Sequence, residues 1–264
     1  MSETLLTFVH ISDTHLSHDP DYRPFDFRFP VRRGAEALVR QLQNLPFTPD
    51  FVLHTGDVAY NPDPRAYVAA RGILSGIPYR TIYLAGNHDD PAALQQTLLG
   101  ANPVKTPFDQ EFDINGVQII AVDSNGPAEP PAGMVRPEQL EWLEGRCAAH
   151  DERPLVVAVH HNALPVDVPW LDEYMRMVNG EDFHRALLPA RARLRGVFFG
   201  HVHQNVSFYR DGILYSSVLS SWVQFHAWPG QADTLVDEAA EPGFNLVTLT
   251  RDQTYIRRCR YAVT

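Results

Sequence analysis

The chain has 264 residues, 44% of them hydrophobic and 20% charged, a balance that excludes a disordered or fibrous protein and suits one large core. Its 22 basic and 32 acidic side chains leave a net charge of −10, which argues against a large nucleic acid or an anionic membrane surface as partner. Twelve histidines stand beside those few strong bases, so any anion handled here needs positive charge from another source.

At the N-terminus, Glu3 stands where a signal peptide wants basic residues, and Thr7 and His10 interrupt the apolar run, so a cytoplasmic location is expected. No apolar stretch approaches the roughly 20 residues of a spanning helix, and no membrane insertion is expected. Short, uniformly apolar runs at 5–11, 51–54, 81–84, 117–122, 155–160 and 196–199 predict strands buried on both faces. Between the first two, Val31, Ala35, Leu38, Leu42 and Leu45 form the stripe of an amphipathic helix. Asp63-Pro64 reads as the N-cap and first residue of a second helix, with Tyr67, Ala70 and Leu74 on one of its faces. Pro137 opens a third helix that aligns Leu140, Leu143 and Cys147. This alternation predicts a largely parallel α/β arrangement over residues 1–203. Strand-like runs at 206–209, 213–217, 244–249 and 254–260 predict an antiparallel part over 204–264, within one domain spanning 1–264. Residues 125–131 and 228–243 read as loops, and Cys147 and Cys259 as free thiols.

Nearly every parallel-type strand runs into a cluster of Asp, His or Asn. The clusters are Ser12-Asp13-Thr14-His15, Thr55-Gly56-Asp57, Gly86-Asn87-His88-Asp89, His160-His161-Asn162 and Gly200-His201-Val202-His203. Ligands of open α/β sheets bind beyond the carboxyl ends of the strands, so the five clusters are expected to converge. Each alone has an ordinary explanation. Asp13 suits an Asx-turn or helix cap, Gly56-Asp57 a turn, and His160 or His161 a satisfied core histidine; Asn87-His88 suits a left-handed turn. The two imidazoles of Gly200-His201-Val202-His203 are hardest to dismiss, because alternate residues of extended chain can share a metal. Five such turns at five strand ends are poorly explained by capping.

Taken in order, D-x-H, G-D, G-N-H-[DE], H and G-H-x-H resemble the calcineurin-like metallophosphoesterases, and all five blocks are present between Asp13 and His203. The doubled His160-His161 resembles the branch holding class III cyclic nucleotide phosphodiesterases and bacterial glycerophosphodiesterases. So do Val122-Asp123-Ser124, Gly133-Met134-Val135 and Gln139-Leu140-Glu141-Trp142-Leu143. The resemblance implies a four-layer α/β/β/α sandwich with two mixed β-sheets and a dinuclear metal centre. By motif position, Asp13, His15 and His203 would hold one metal, and Asn87, His160 and His201 the other, with Asp57 bridging. His88 would be the catalytic histidine and, with Asn87, meet substrate. Asp89 would stand behind the ligands or face substrate, and His161 is a further candidate for substrate binding.

Carboxylate, amide and imidazole ligands without thiolate suit Mn, Fe, Co or Zn better than Mg or Ca, and do not choose among them. Two such cations roughly 3.5–4 Å apart yield hydroxide from a bridging water at neutral pH and clamp a phosphoryl group for in-line attack. The expected activity is metal-dependent hydrolysis of a small phosphodiester, a cyclic nucleotide or glycerophosphodiester. A phosphomonoesterase or protein phosphatase of the same fold is the rival, followed by a non-catalytic metal-binding scaffold. One departure from the branch is Asn162, where it often carries proline. The segment 19–30 (DPDYRPFDFRFP) either presents aromatics and arginines to a base or phosphate, or anchors a loop through Phe25, Phe27 and Phe29. The segment 168–177 reads as a lid, a homodimer contact, or packing through Trp170, Met175 and Met177.

Overall fold

The computed structural model describes residues 3–264. The first sheet is built from β1 (Thr4–Ile11), β2 (Phe51–His54), β3 (Thr81–Tyr83), β10 (Gly243–Thr250) and β11 (Thr254–Arg260), in the order β11-β10-β1-β2-β3. The second is built from β4 (Gln110–Ile114), β5 (Val117–Val122), β6 (Leu155–Val159), β7 (Leu194–Phe199), β8 (Ser207–Arg210) and β9 (Ile213–Ser217), in the order β4-β5-β6-β7-β9-β8. Both sheets mix parallel and antiparallel pairs.

Three apolar layers hold the sandwich. Leu6, Phe8, Phe51 and Leu53 of the first sheet meet Val117, Ile119, Val156 and Phe198 of the second, all fully buried. Helices α1 (Val31–Gln43) and α2 (Pro64–Leu74) cover the outer face of the first sheet. The stripe Val31, Ala35, Leu38 and Leu42 is buried there, and Asp63 caps α2 by accepting from the Arg65 amide. Helices α3 (Pro137–Ala148) and α4 (Gly180–Leu187) cover the second sheet, with Leu143, Cys147, Phe183 and Leu187 inward. The result is the four-layer α/β/β/α order. Among the described residues, no helix is long and apolar enough to cross a membrane.

The structure corrects two expectations. The strands after residue 204 do not form one antiparallel part. β10 and β11 complete the first sheet antiparallel to β1, whereas β9 joins the second sheet parallel to β7. The expected parallel part also contains an antiparallel strand, β4, paired to β5 through a turn in which Asn115 and Gly116 both take positive φ. That Asn-Gly pair is a hairpin signal, and β4 alternates half-buried and exposed positions as an edge strand does. The short helix α4 follows Asn179, whose side chain bonds the Val135 backbone instead of capping the helix.

Candidate metal centre

All five clusters lie at the carboxyl ends of parallel strands: three follow β1, β2 and β3, and two follow β6 and β7. The site therefore sits on the seam between the sheets. Backbone bonds lock neighbouring loops, Asp13 N–H to Gly56 O at 3.0 Å, His15 N–H to Asp57 O at 3.0 Å and Gly200 N–H to His160 O at 3.1 Å. Across the seam, the His201 amide donates to the Asp13 carboxylate at 3.1 and 3.2 Å. Asp13 thus neither closes an Asx-turn nor caps a helix.

The loops are tightly drawn. A Cβ on Gly86 would stand 2.2 Å from Asp57 Oδ1, and one on Gly200 would stand 2.0 Å from Ser12 Oγ and 2.8 Å from Asp13 Oδ2. Asp13, His15, Asp57, His201 and His203 all take left-handed backbone, with φ of 53°, 46°, 53°, 68° and 47°. Non-glycine residues rarely do so, and strain of this kind, about 1–3 kcal/mol each, persists only where the surroundings over-determine the conformation. Asn87 and His88, where a left-handed turn was an alternative, are not among the positive-φ residues.

Donor atoms of the five clusters lie close together. Ligand atoms of Asp13, His15 and His203 lie within 4.8 Å of one another, as do those of Asp13, Asp57 and His160, and of His15, Asp57 and His88. His160 and His201 meet in a further such group with His161. His15 Nε2 is 3.0 Å from His203 Nε2 and 3.6 Å from Asp57 Oδ2. His203 Nε2 is 3.3 Å from Asp13 Oδ1. On the other side of Asp57, His160 Nε2 is 3.4 Å from its Oδ2 and 3.1 Å from Asn87 Oδ1.

Backbone carbonyls orient three of these rings. His160 Nδ1–H donates to Thr55 O at 2.7 Å, His203 Nδ1–H to Val223 O at 2.8 Å and His201 Nε2–H to Met175 O at 2.9 Å. Such bonds fix which ring nitrogen is left for a ligand. His160 Nε2 then faces only acceptors, Asn87 Oδ1 and Asp57 Oδ2, an arrangement that a proton or a metal ion satisfies. Buried His15 Nδ1 has no partner among the described residues.

The electrostatics agree. Burial alone would raise Asp57 and Asp13, yet His160 and His203 respectively hold both carboxyls well below the usual range. Burial would lower His160, and the Asp57 carboxylate instead lifts it to about 9. His201, buried beside His160, falls to about 3 and stays neutral. The centre therefore attracts cations, and among the described residues no lysine or arginine lines the cavity above it. Mixed carboxylate, amide and imidazole donors on two sides of one carboxylate fit divalent metals.

That cavity has a volume of about 260 Å³ and is lined by His15, Asp57, Asn87, His88, His201 and His203. Its upper walls are Phe25, Tyr60, Trp170, Tyr174, Trp222 and Phe225. His88 reaches it as expected. Its Nδ1–H donates to Tyr60 O at 2.7 Å, and its amide donates to Asp57 Oδ1 at 2.9 Å. His161 does not line it. That ring is fully buried, its Nε2–H donates to Pro131 O at 3.1 Å, and its Nδ1 meets Ser124 Oγ at 2.7 Å. Both nitrogens are used, so no atom of His161 remains for substrate. Asp89 faces the protein. Its carboxylate accepts at 3.0 Å from the amides of Val58, Ala59 and Gly86 and at 3.2 Å from Tyr67 OH, tying the Asp57 loop to the Asn87 loop.

The segment 19–30 divides its roles. Phe27 and Phe29 are buried anchors, and Phe25 lines the cavity. In the segment 168–177, Trp170 and Met177 are core residues, and Met175 holds His201 through its carbonyl. Tyr60, Trp222 and Phe225 were missed. The sequence offers little to find them, since an aromatic two or more residues beyond a loop end has no periodicity tying it to the site.

A model of the family described as calcineurin-like phosphoesterase matches residues 6–205. The chain is 26% identical over 253 residues to a 3',5'-cyclic adenosine monophosphate phosphodiesterase of Pseudomonas aeruginosa, covering 95% of this chain and 88% of that one. It is 30% identical over 211 residues to a cAMP/cGMP dual specificity phosphodiesterase of Mycobacterium tuberculosis, covering 75% and 62%. It is 29% identical over 206 residues to a glycerophosphodiester phosphodiesterase of Enterobacter lignolyticus, covering 75% and 71%. Among solved structures, a dimetal phosphatase from Danio rerio superposes with a TM-score of 0.68 at 15% identity, over 98% of this chain and 100% of that one. Fold, seam-centred donor set and family match agree: the chain belongs to the calcineurin-like phosphoesterase family.

Proposed function

We propose that the protein is a metal-dependent hydrolase of small phosphodiesters. The observation that carries this is the pair of donor sets meeting at Asp57 beneath an open cavity with no lysine or arginine among its described lining residues. Asp13, His15 and His203 would hold one metal, Asn87, His160 and His201 the other, and Asp57 both. When bound, the metals would supply an acidified water and an electrostatic clamp on phosphoryl oxygens. Mn, Fe, Zn and Co all suit these donors.

The protein's own groups supply the rest. Asp57, held ionised and accepting the His88 amide, keeps the histidine at the cavity wall. The Tyr60 carbonyl accepts a hydrogen bond from Nδ1–H of His88, so in the imidazolium form Nε2–H would give its proton to the departing alkoxide as the oxygen of water bonds to phosphorus and the ester P–O bond breaks. General-acid help of this kind is worth about a hundred- to ten-thousand-fold. The names of the three similar phosphodiesterases support the diester class, cyclic nucleotide or glycerophosphodiester. Net charge of −10 supports small substrates over large nucleic acids, and the free cysteines support a cytoplasmic setting. One domain over residues 1–264 is supported by the apolar layer shared between the sheets, and a homodimer is the further assembly to test by sedimentation.

The test is hydrolysis of bis(p-nitrophenyl) phosphate against p-nitrophenyl phosphate by Mn²⁺-loaded protein, with metal content measured in parallel. Faster turnover of the diester, lost together with metal in Asp57→Asn, is expected. Faster turnover of the monoester, or undiminished activity in Asp57→Asn, would overturn it.

A further inference from the structure

We propose that Phe25 is a specificity-determining residue that stacks on a planar aromatic group of the substrate, a nucleobase or aryl ring; this rests on the diesterase function proposed above. Phe25 takes φ 58° and ψ 19°, and Asp26 follows at φ 47°. A bulky residue in left-handed backbone is an outlier, and two such residues in succession persist only where flanking structure enforces them. The flanks do so. Phe27 and Phe29 are buried in a cluster with Val31, Trp222 and Val223, the Val31 amide donates to Tyr22 O at 3.1 Å, and Arg28 donates to Ala240 O at 2.6 Å.

This rigid loop does not bury the Phe25 ring. The ring is 62% exposed, lines the cavity above the donor sets, and lies 17° from parallel to Trp222 at 5.9 Å and nearly perpendicular to Phe225 at 6.1 Å. Core packing asks for none of that, since the neighbouring phenylalanines already anchor the loop. A flat apolar face fixed beside a phosphoryl-binding centre, in a cavity without lysine or arginine among its described residues, suits the π-face of an aromatic ring and gives nothing to a glycerol hydroxyl.

The experiment compares kcat/KM for 3',5'-cyclic AMP and glycerophosphoethanolamine in wild type, Phe25→Leu and Phe25→Tyr, with Mn²⁺ bound. Calorimetric binding of AMP and of inorganic phosphate to the same proteins runs beside it. Phe25→Leu is expected to lower the ratio of the two kcat/KM values about tenfold, mainly through KM for cyclic AMP, and Phe25→Tyr to restore it. AMP affinity should fall about tenfold in Phe25→Leu relative to phosphate. An unchanged ratio and unchanged AMP affinity would overturn the assignment, as would equal losses on both substrates, which mark a purely structural loop. If wild type hydrolyses neither diester, diesterase activity is refuted separately, and AMP binding still decides the role of Phe25.

Discussion

Replacing Asp89 by asparagine should cost stability through two loops that belong to the metal centre, although the residue never reaches the cavity. One carboxylate oxygen accepts from the Ala59 amide and Tyr67 OH, and the other from the Val58 and Gly86 amides, all within 3.0–3.2 Å. An asparagine keeps its oxygen on the Val58 and Gly86 amides, and its NH₂ then confronts the Ala59 amide, which also donates. A buried amide left without an acceptor costs about 1–3 kcal/mol, so the loss is about 1–3 kcal/mol, a large fraction of ordinary folding stability. Tyr67→Phe removes one of the four bonds and also the acceptor of the Asp90 amide at 2.7 Å, so it should cost about 1–3 kcal/mol while leaving the three amide bonds to Asp89 in place. Urea unfolding of metal-free protein at pH 7 measures both. Metal affinity of the folded variant should fall as well, because the Asp57 loop loses the Ala59 bond that helps to hold it. A loss below about 1 kcal/mol for Asp89→Asn would refute the account of Asp89 as a four-bond clamp.

Gly200→Ala should displace Ser12 and the Asp13 carboxylate, because its Cβ would overlap both; steady-state kinetics should show at least about a hundredfold loss, and wild-type activity would refute it. Chelation should lower the melting temperature by about 5–10 °C, from roughly 2.7 kcal/mol of binding linkage at a hundredfold excess over Kd, with Mn²⁺ restoring it. Identical melting with and without chelator would show that the donor sets hold no metal. His10 and His54, lowered by burial to about 3 and about 4, stay neutral in the folded protein while the unfolded chain protonates them near 6.5. Stability from both is thus complete above that value and falls with pH, by about 2 kcal/mol between pH 6 and pH 5. Unfolding of His10→Gln at the two pH values should show about half that dependence, and an unaltered slope would exclude His10 as a contributor.

The strands and the ligands were legible for one reason: buried parallel strands read as short apolar runs, and the residues that follow them carry the chemistry. Val117–Val122 and Thr254–Arg260 fall where periodicity placed them. Edge strand β4 was obscured because Gln110–Ile114 buries little, and only its Asn-Gly turn marks it. Assignment of β9 to the second sheet depends on pairing with β7, a long-range choice that no local pattern encodes. In the site, motif order predicted which side chains gather. It could not tell that Asp89 and His161 turn inward, since both occupy loops beside the ligands and differ from them only in which backbone groups they meet. The aromatic wall depends on where separate loops cross, so Trp222 and Phe225 carried no signal.

The His201 amide that donates to Asp13 joins residues 188 apart in the chain, and its consequence is temporal. During synthesis, β1, β2 and β3 with their loops emerge long before β6 and β7. Asp13, His15, Asp57 and Asn87 therefore wait as a half-built cluster of acids and imidazole whose remaining ligands are still unmade. β1 itself remains unpaired on one side until β10 is complete. The centre can close only once β7 has joined the second sheet and brought His201 and His203 to it, so metal uptake by a nascent or truncated chain is a late event.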